Sequence, residues 1–375
     1  MHIVIDAQLI NTAETYRGAG VSVYSQELLT ALGRHGSGLR LTAFVNDAGF
    51  SCEGVALRRT RWPAQRPLPR IVWEQTALPS ALSRLDADVV HGLVNVLPLA
   101  TSTPGVVTVH DLSFVRMPER FPAAKRFYLT QLCAASVRRA QRVIAVSRQT
   151  ANDLVHYFHV DAKKIDVVYN GVAERFAPGD AERSASFRRA HDLPARFLLY
   201  VGTLEPRKNL ERLIDAYAAW RAQATASDRD VALVLAGAQG WFYDTIYQQV
   251  QALGLAEMIR FPGYVPSADL PEWYRAALAF VYPSLFEGFG MPVLEAMACG
   301  APVLCSRAPG IEEVAQDAAL TFAPDSTAEM AAALNAVVTE DAVRADLRKR
   351  GLAHVRRFSW TRCAAETINV YQRTC

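Results

Sequence analysis

The sequence predicts an α/β protein built from two doubly wound, parallel-sheet halves of the Rossmann kind. Three observations carry this reading. Short β-branched runs alternate with longer segments of helical apolar spacing along nearly the whole chain, the pattern of consecutive βαβ units. The alternation is interrupted once, over 171–195, where Gly171, Pro178, Gly179 and Pro194 punctuate the chain. The length of 375 residues is too great for one ordinary domain and suits two.

In the first half, strands are expected at 2–7, 41–45, 87–91, 105–110, 142–146 and 164–169. Helices are expected at 21–32, 71–82, 126–140 and from Ser147 to about residue 155. After the interruption the rhythm restarts, with strands at 197–201, 231–236, 258–261, 279–282, 302–305 and 319–322. Helices are expected from Asn209, from about Tyr243, over 270–276, from Met291, and onward to the end. The predicted organisation is a first domain over 1–175, a linker over 176–195, a second domain over 196–358, and a last helix in 359–375 that packs back toward the first domain. Ligands of such sheets bind at the carboxyl ends of the strands, so a cleft between facing halves is expected.

Composition narrows the class. The chain is 51% hydrophobic and 21% charged, as expected of a globular protein handled in water. A net charge of +3 gives no nucleic-acid signature, although the first half is mildly basic and the second mildly acidic. The six cysteines, Cys52, Cys133, Cys299, Cys305, Cys363 and Cys375, form no C-x-x-C pair, which argues against a zinc site and fits free thiols in a reducing cytosol. The N-terminus runs straight into a strand, with no signal-peptide pattern, and no apolar run has the roughly 20 residues of a membrane span.

Four segments carry chemistry. Tyr282-Pro-Ser-Leu-Phe-Glu-Gly-Phe-Gly-Met-Pro-Val-Leu-Glu295 reads as a strand end, a glycine loop and a helix start, with Glu287 before the loop and Glu295 inside the helix. A helix N-terminus behind such a loop is an anion site, and a carboxylate on a buried helix needs a partner such as ribose hydroxyls. Gly202-Thr-Leu-Glu-Pro-Arg-Lys-Asn209 follows a strand and precedes a helix. Arg207 and Lys208 oppose the dipole of that helix, a cost that a bound pyrophosphate would offset. His110 lies at the end of a strand, where side chains reach a ligand crevice. Arg17-Gly-Ala-Gly20 precedes a helix but lacks the third glycine of the dinucleotide fingerprint.

Taken together these segments resemble the retaining glycosyltransferases of family 4, which have the two-Rossmann GT-B architecture. The match rests on Gly202-Thr-x-Glu-Pro-Arg-Lys-Asn209 and on Pro283-Ser-x-x-Glu-Gly-Phe-Gly-Met-Pro-x-Leu-Glu-Ala-Met-Ala-Cys-Gly300, in order and separation. Weaker echoes are Gly18-x-Gly20, Trp73-Glu-Gln75, His110-Asp-Leu112, Ala145-Val-Ser147 and Asn170-Gly-Val172. The branch it looks most like is that of bacterial mannosyltransferases that build polysaccharides and lipopolysaccharide O-chains. The resemblance implies that the first domain binds the acceptor and the second the nucleotide-sugar donor, with Gly20, Arg207 and Lys208 holding the donor diphosphate. Glu287 then meets the transferred sugar, His110 lies near sugar and leaving phosphate, and these two are the catalytic pair. Backbone N–H groups of Phe289, Gly290 and Met291 would contact phosphate or sugar, Glu295 the ribose, and Tyr264 and Val265 the base. The turn Ala308-Pro-Gly-Ile-Glu-Glu313 departs from the family pattern, which leaves its contact with the phosphate site open.

The expected reaction is transfer of mannose from GDP-mannose, with retention, to a lipid-linked or oligosaccharide acceptor, with no cofactor and no metal. Two Asp-x-Asp triplets, Asp86-Ala-Asp88 and Asp228-Arg-Asp230, fall at predicted strand starts and are read as chance. A helix carrying Phe121, Phe127, Tyr128 and Leu132 among Arg116, Arg120, Lys125, Arg126, Arg138, Arg139 and Arg142 is either a solvated face or a rest for anionic lipid, which would place the protein on the inner face of the cytoplasmic membrane. Other donors (UDP-, ADP- or other GDP-sugars), a non-catalytic nucleotide-sugar-binding subunit, and an NAD-dependent dehydrogenase remain the competing readings.

Overall fold

The structure is a computed structural model that describes residues 1–13, 15, 18, 20–64, 66–240 and 243–374. The chain divides into one unit of Met1–Gly171 with Phe358–Cys375, and another of Val172–Arg357. Each has its own parallel sheet.

The first sheet contains β1 (His2–Asp6), β2 (Arg40–Val45), β3 (Ala56–Arg59), β4 (Val89–Gly92), β5 (Gly105–Val109), β6 (Arg142–Ala145) and β7 (Ile165–Val167), in the order β3-β2-β1-β4-β5-β6-β7. The second contains β8 (Phe197–Val201), β9 (Ala232–Ala236), β10 (Ile259–Gly263), β11 (Ala279–Tyr282), β12 (Val303–Ser306) and β13 (Leu320–Phe322), in the order β10-β9-β8-β11-β12-β13. The strand order reverses between β1 and β4 in one sheet and between β8 and β11 in the other, and these switch points are where doubly wound sheets bind ligands. The central strands are apolar on both faces because helices cover both: Ile3, Val4 and Ile5 are fully buried, as are Leu198, Leu199 and Tyr200.

The last helix, Trp360–Gln372, packs on the helix Val21–His35 of the first unit. It is tied there by a buried polar chain. The Tyr371 hydroxyl lies 2.7 Å from His91 Nδ1, His91 Nε2 lies 2.9 Å from the Thr108 hydroxyl, and that hydroxyl lies 3.1 Å from the Tyr24 hydroxyl. Where the chain leaves this unit, Gly171 presses against the returning segment: a Cβ there would stand 2.2 Å from Trp360 N. This gives the Asn-Gly-Val echo a packing reason.

Three features differ from expectation. The stretch 176–195 is not a bare linker. It holds a helix, Ala181–Ala190, capped by Asp180 and packed on the helix Leu270–Ala276 of the second unit. Its sequence is polar, with only Ser184 buried, so its apolar signal is faint. The edge strand β3 went unpredicted because Ala-Leu-Arg-Arg lacks an apolar run. The helix expected at 71–82 spans Pro67–Leu85, with proline in its first turn where no N–H is needed.

Burial pushes the His91 pKa down to about 3, and the neighbouring His110 adds to the fall. The fold therefore favours neutral His91. Its contribution to stability is complete above the ordinary histidine value of about 6.5 and is lost as pH falls from there toward about 3. Replacing Tyr371 by Phe strands one nitrogen of a fully buried ring. Urea unfolding at pH 7 should show a loss of about 1–3 kcal/mol, and unchanged stability would contradict the assigned bond.

Candidate functional site in the second unit

The loops after β8 and β11 meet at the switch point of the second sheet. After β8 the chain turns through Gly202 to a short 3-10 turn, Pro206–Lys208, and enters the helix Leu210–Gln223 through Asn209 in the left-handed region. The Asn209 amide donates to the carbonyls of Pro283 at 3.1 Å and Pro324 at 2.7 Å, and Leu285 N donates to Arg207 O at 2.9 Å. The two loops are thereby pinned together.

Glu287 is the centre of this arrangement. Its Oε1 lies 2.6 Å from Lys208 Nζ and its Oε2 lies 2.8 Å from the Arg207 guanidinium. Lys208 Nζ also donates to the Tyr282 hydroxyl at 2.8 Å and stands 5.0 Å above that ring. Arg207 donates to Glu205 at 2.9 Å and to the Phe286 carbonyl at 2.9 Å. Glu205, Lys208 and Glu287 are all more than nine-tenths buried. Tyr200 and Tyr282, stacked 6.2 Å apart, are buried beside Lys208.

Burial alone would raise the Glu287 pKa. The adjacent Arg207 and Lys208 charges and their hydrogen bonds outweigh it and hold the carboxyl at about 2. Glu287 is thus an anion at any working pH and has no proton to give. Both of its oxygens are engaged by cations, which lowers its power as a nucleophile.

This corrects one expectation. The Arg207-Lys208 pair does not wait for an external anion to offset its position before a helix, because Glu205 and Glu287 already do so. The four ionised groups sum to zero charge. Any extra attraction for phosphate has to come from the neighbouring helix N-terminus. That helix, Met291–Ala298, starts after Gly290 at φ 95°, and has no side-chain cap and no acidic residue in its first turn; Pro292 has no N–H and Val293 N donates to Gly290 O at 3.0 Å, so it is the N–H of Met291 at the positive end of the helix dipole that can meet an anion. Phe289, Gly290 and Met291 all belong to this entry.

The turn 308–313 does adjoin the loop. Gly310 has φ 68°, and a Cβ there would stand 2.1 Å from the Glu287 carbonyl oxygen. Only glycine fits both demands. This residue was not singled out in the sequence, and the signal for it was the departure of that turn from the family pattern.

The remaining predicted residues are more dispersed. Glu295 is half-buried on the helix Met291–Ala298 and accepts from the Tyr274 hydroxyl at 3.0 Å. Tyr264 and Val265 follow β10 at the sheet edge, with Val265 buried, while Gly263 O accepts from Gly237 N at 2.8 Å. His110 and Gly20 belong to the first unit. His110 Nε2 lies 2.9 Å from the Leu93 carbonyl, which only accepts, so the proton is on Nε2 and Nδ1 holds a lone pair. Burial lowers the His110 pKa against the opposing pull of Leu93 O and Asp111. Gly20, at φ 57°, begins the helix Val21–His35, while Arg17 and Ala19 beside it, like Cys375, lie outside the described residues.

The Asp-x-Asp triplets sit at the amino ends of strands. Asp88 accepts from His2 N at 2.6 Å, while Asp228 and Asp230 pair with Arg196 at 3.2 and 3.4 Å. Among the described residues no cluster of three His, Cys, Asp or Glu could hold a metal ion, and no helix is long and apolar enough to cross a membrane. In the basic stretch of the first unit, Arg116 pairs with Asp153, Arg142 with Asp166, and Arg139 donates to the carbonyls of Thr101 and Thr103. Phe127 is 68% exposed on the helix Ala123–Arg139.

Comparison with known proteins finds relatives of both units. Residues 182–354 match the family described as glycosyl transferases group 1, and residues 18–175 match glycosyltransferase family 4. The chain is 34% identical to the O-antigen chain mannosyltransferase B of Escherichia coli, over 71% of this chain and 70% of that protein. It is 28% identical to the serotype-specific mannosyltransferase WbdA of Escherichia coli over its whole length, spanning 48% of that longer protein. Among solved structures, the sucrose-phosphate synthase of Thermosynechococcus elongatus has a TM-score of 0.80 at 23% identity, covering 99% of this chain and 98% of that one. The doubly wound sheets, the matched families and the mannosyltransferase relatives together establish that the chain belongs to the family 4 glycosyltransferases of GT-B architecture.

Proposed function

We propose that this protein is a retaining mannosyltransferase that moves mannose from GDP-mannose to a saccharide or lipid-linked acceptor in surface-polysaccharide assembly. The observation that carries the donor site is the Glu287–Lys208–Arg207 cluster at the β8–β11 switch point, beside an uncapped helix N-terminus. The mannosyl part of the reading is supported by the E. coli relatives.

In this reading the donor diphosphate lies against the helix N-terminus at Phe289, Gly290 and Met291, within reach of Arg207 and Lys208. Negative charge grows on that diphosphate as the glycosidic bond breaks. Cations already fixed by Glu287, Glu205 and Tyr282 stabilise it without having to reorganise. Glu287, held as an anion, faces the positive charge developing on the sugar and accepts from its hydroxyls. Its engaged oxygens favour front-face attack by the acceptor hydroxyl over a covalent sugar–Glu287 intermediate. Glu295 takes the ribose, and Tyr264 with Val265 the base. Gly20 lends backbone to the diphosphate. His110, neutral with a lone pair on Nδ1, accepts from a sugar hydroxyl. No metal is called on, since the cations and helix dipole supply the charge. Action at the inner face of the cytoplasmic membrane fits a lipid-linked acceptor.

A screen of donor hydrolysis and transfer with GDP-, UDP- and ADP-sugars tests the whole reading. Turnover of GDP-mannose is expected, and no turnover with any donor would sink it. Lys208→Met, which keeps the stem over Tyr282 and removes the charge, should lower kcat/KM on the order of 100-fold, about 2.7 kcal/mol; an unchanged value would rule out the phosphate role. Glu287→Gln leaves the cluster with an uncompensated positive charge. It should bind GDP several-fold more tightly by calorimetry while transferring sugar far more slowly, whereas weakened GDP binding would contradict the proposed balance. With Glu287 at about 2, no rise in kcat/KM between pH 4.5 and 8 should trace to its ionisation, so the wild type and Glu287→Gln should share any limb seen there.

A further inference from the structure

His110 owes its orientation to the loop after β4. The torsion that turns an imidazole about its Cβ–Cγ bond is broad and nearly two-fold. Which nitrogen faces a ligand is therefore set by what the ring is bonded to. Here the bond is to Leu93 O, 2.9 Å from Nε2, while the Tyr24 ring stands edge-on to the imidazole at 4.5 Å. Tyr24 limits the space in which the ring can turn, and Leu93 O distinguishes one ring nitrogen from the other.

The place of Leu93 O depends in turn on Asn95. β4 ends at Gly92, where a Cβ would stand 2.0 Å from Val96 O, so the chain folds back tightly over the strand end. Asn95 makes that reversal with φ 59°, in the left-handed region that asparagine tolerates better than most side chains. Its N–H donates to Thr108 O at 2.8 Å, and its Oδ1 accepts from His110 N at 3.1 Å. These two bonds bracket Val109 and fasten the loop to the end of β5. The Thr150 hydroxyl adds a hold from another side, donating to His110 O at 3.3 Å. Glycine at position 95 would make the turn but not the bond to His110 N. Asparagine does both.

We propose that Asn95 is a positioning residue for His110. By stitching the loop after β4 to the end of β5, it keeps Leu93 O on the Nε2 proton and leaves Nδ1 turned to accept from a sugar hydroxyl. The proposal rests on the glycosyl-transfer reading of His110 and adds to it a residue that acts through another.

The test compares the full-length wild type with N95G, N95D and H110Q at pH 8, above the ordinary histidine value of about 6.5, so that the charge of the aspartate does not protonate the ring. The first readout needs no substrate. A ring N–H held by a carbonyl exchanges slowly with water and gives a downfield proton NMR signal, which H110Q identifies by its absence. Wild type and N95D, which keeps an oxygen facing His110 N, should show the signal, and N95G should lose it while staying folded by circular dichroism. The second readout is kinetic. N95G should lower kcat for sugar transfer about tenfold or more with the donor KM within about twofold, and N95D should recover most of the loss. If N95G does not fold, N95S, whose side chain ends one atom short, takes its place. A signal missing from wild type, persisting in N95G or not restored in N95D overturns the proposal, as does an unchanged kcat in a variant that has lost it. If wild type transfers no sugar from any donor, the glycosyl-transfer reading falls and the NMR signal alone decides whether Asn95 holds the ring.

Discussion

The second unit depends on one buried carboxylate held between two cations. Glu287 meets Lys208 at 2.6 Å and Arg207 at 2.8 Å, joining the loop after β11 to the loop after β8 across the point where strand order reverses. Removing any one partner would leave a buried charge unpaired, which costs several kcal/mol, about 3–5 in comparable cases. The surroundings are shaped to keep the triad in place. Gly310 lies against the Glu287 backbone with no room for a side chain, Asn209 ties both loops, and buried Tyr200 and Tyr282 stand beside Lys208.

The same triad makes the β8–β11 switch point charged without being strongly basic. Glu205 and Glu287 neutralise Arg207 and Lys208, so the fold is not strained by unpaired cations before the ligand arrives. On the proposed reading a diphosphate is drawn by the dipole of the helix Met291–Ala298 and then meets cations that need not move. In the first unit a comparable polar chain, Tyr371 through His91 and Thr108 to Tyr24, ties the final helix to the sheet, so the end of the sequence is part of the fold that begins it.

Much of this was legible in the sequence because central parallel strands are apolar on both faces and their helices are periodic. The two halves, their switch-point loops, and the positions of Arg207, Lys208, Glu287 and Glu295 all followed from that. What was not legible was pairing across long separation. Glu205 reads as one more charge in a turn, and nothing local says that it and Glu287 neutralise the two cations. The helix Ala181–Ala190 was hidden because it buries so little, and β3 because an edge strand needs no apolar run. Gly310 was not singled out because its constraint comes from a carbonyl more than twenty positions earlier, and only the departure of its turn from the family pattern marked the segment.

The central claim is that the Glu287 triad is where a donor diphosphate is held. The most direct measurement is a crystal structure with a nucleoside diphosphate bound. The account predicts phosphate oxygens within hydrogen-bond distance of Lys208 Nζ or the Arg207 guanidinium and of the N–H groups at Gly290 and Met291, with Glu287 still ionised beside them. A diphosphate bound away from the β8 and β11 loops, with the triad untouched, would contradict it.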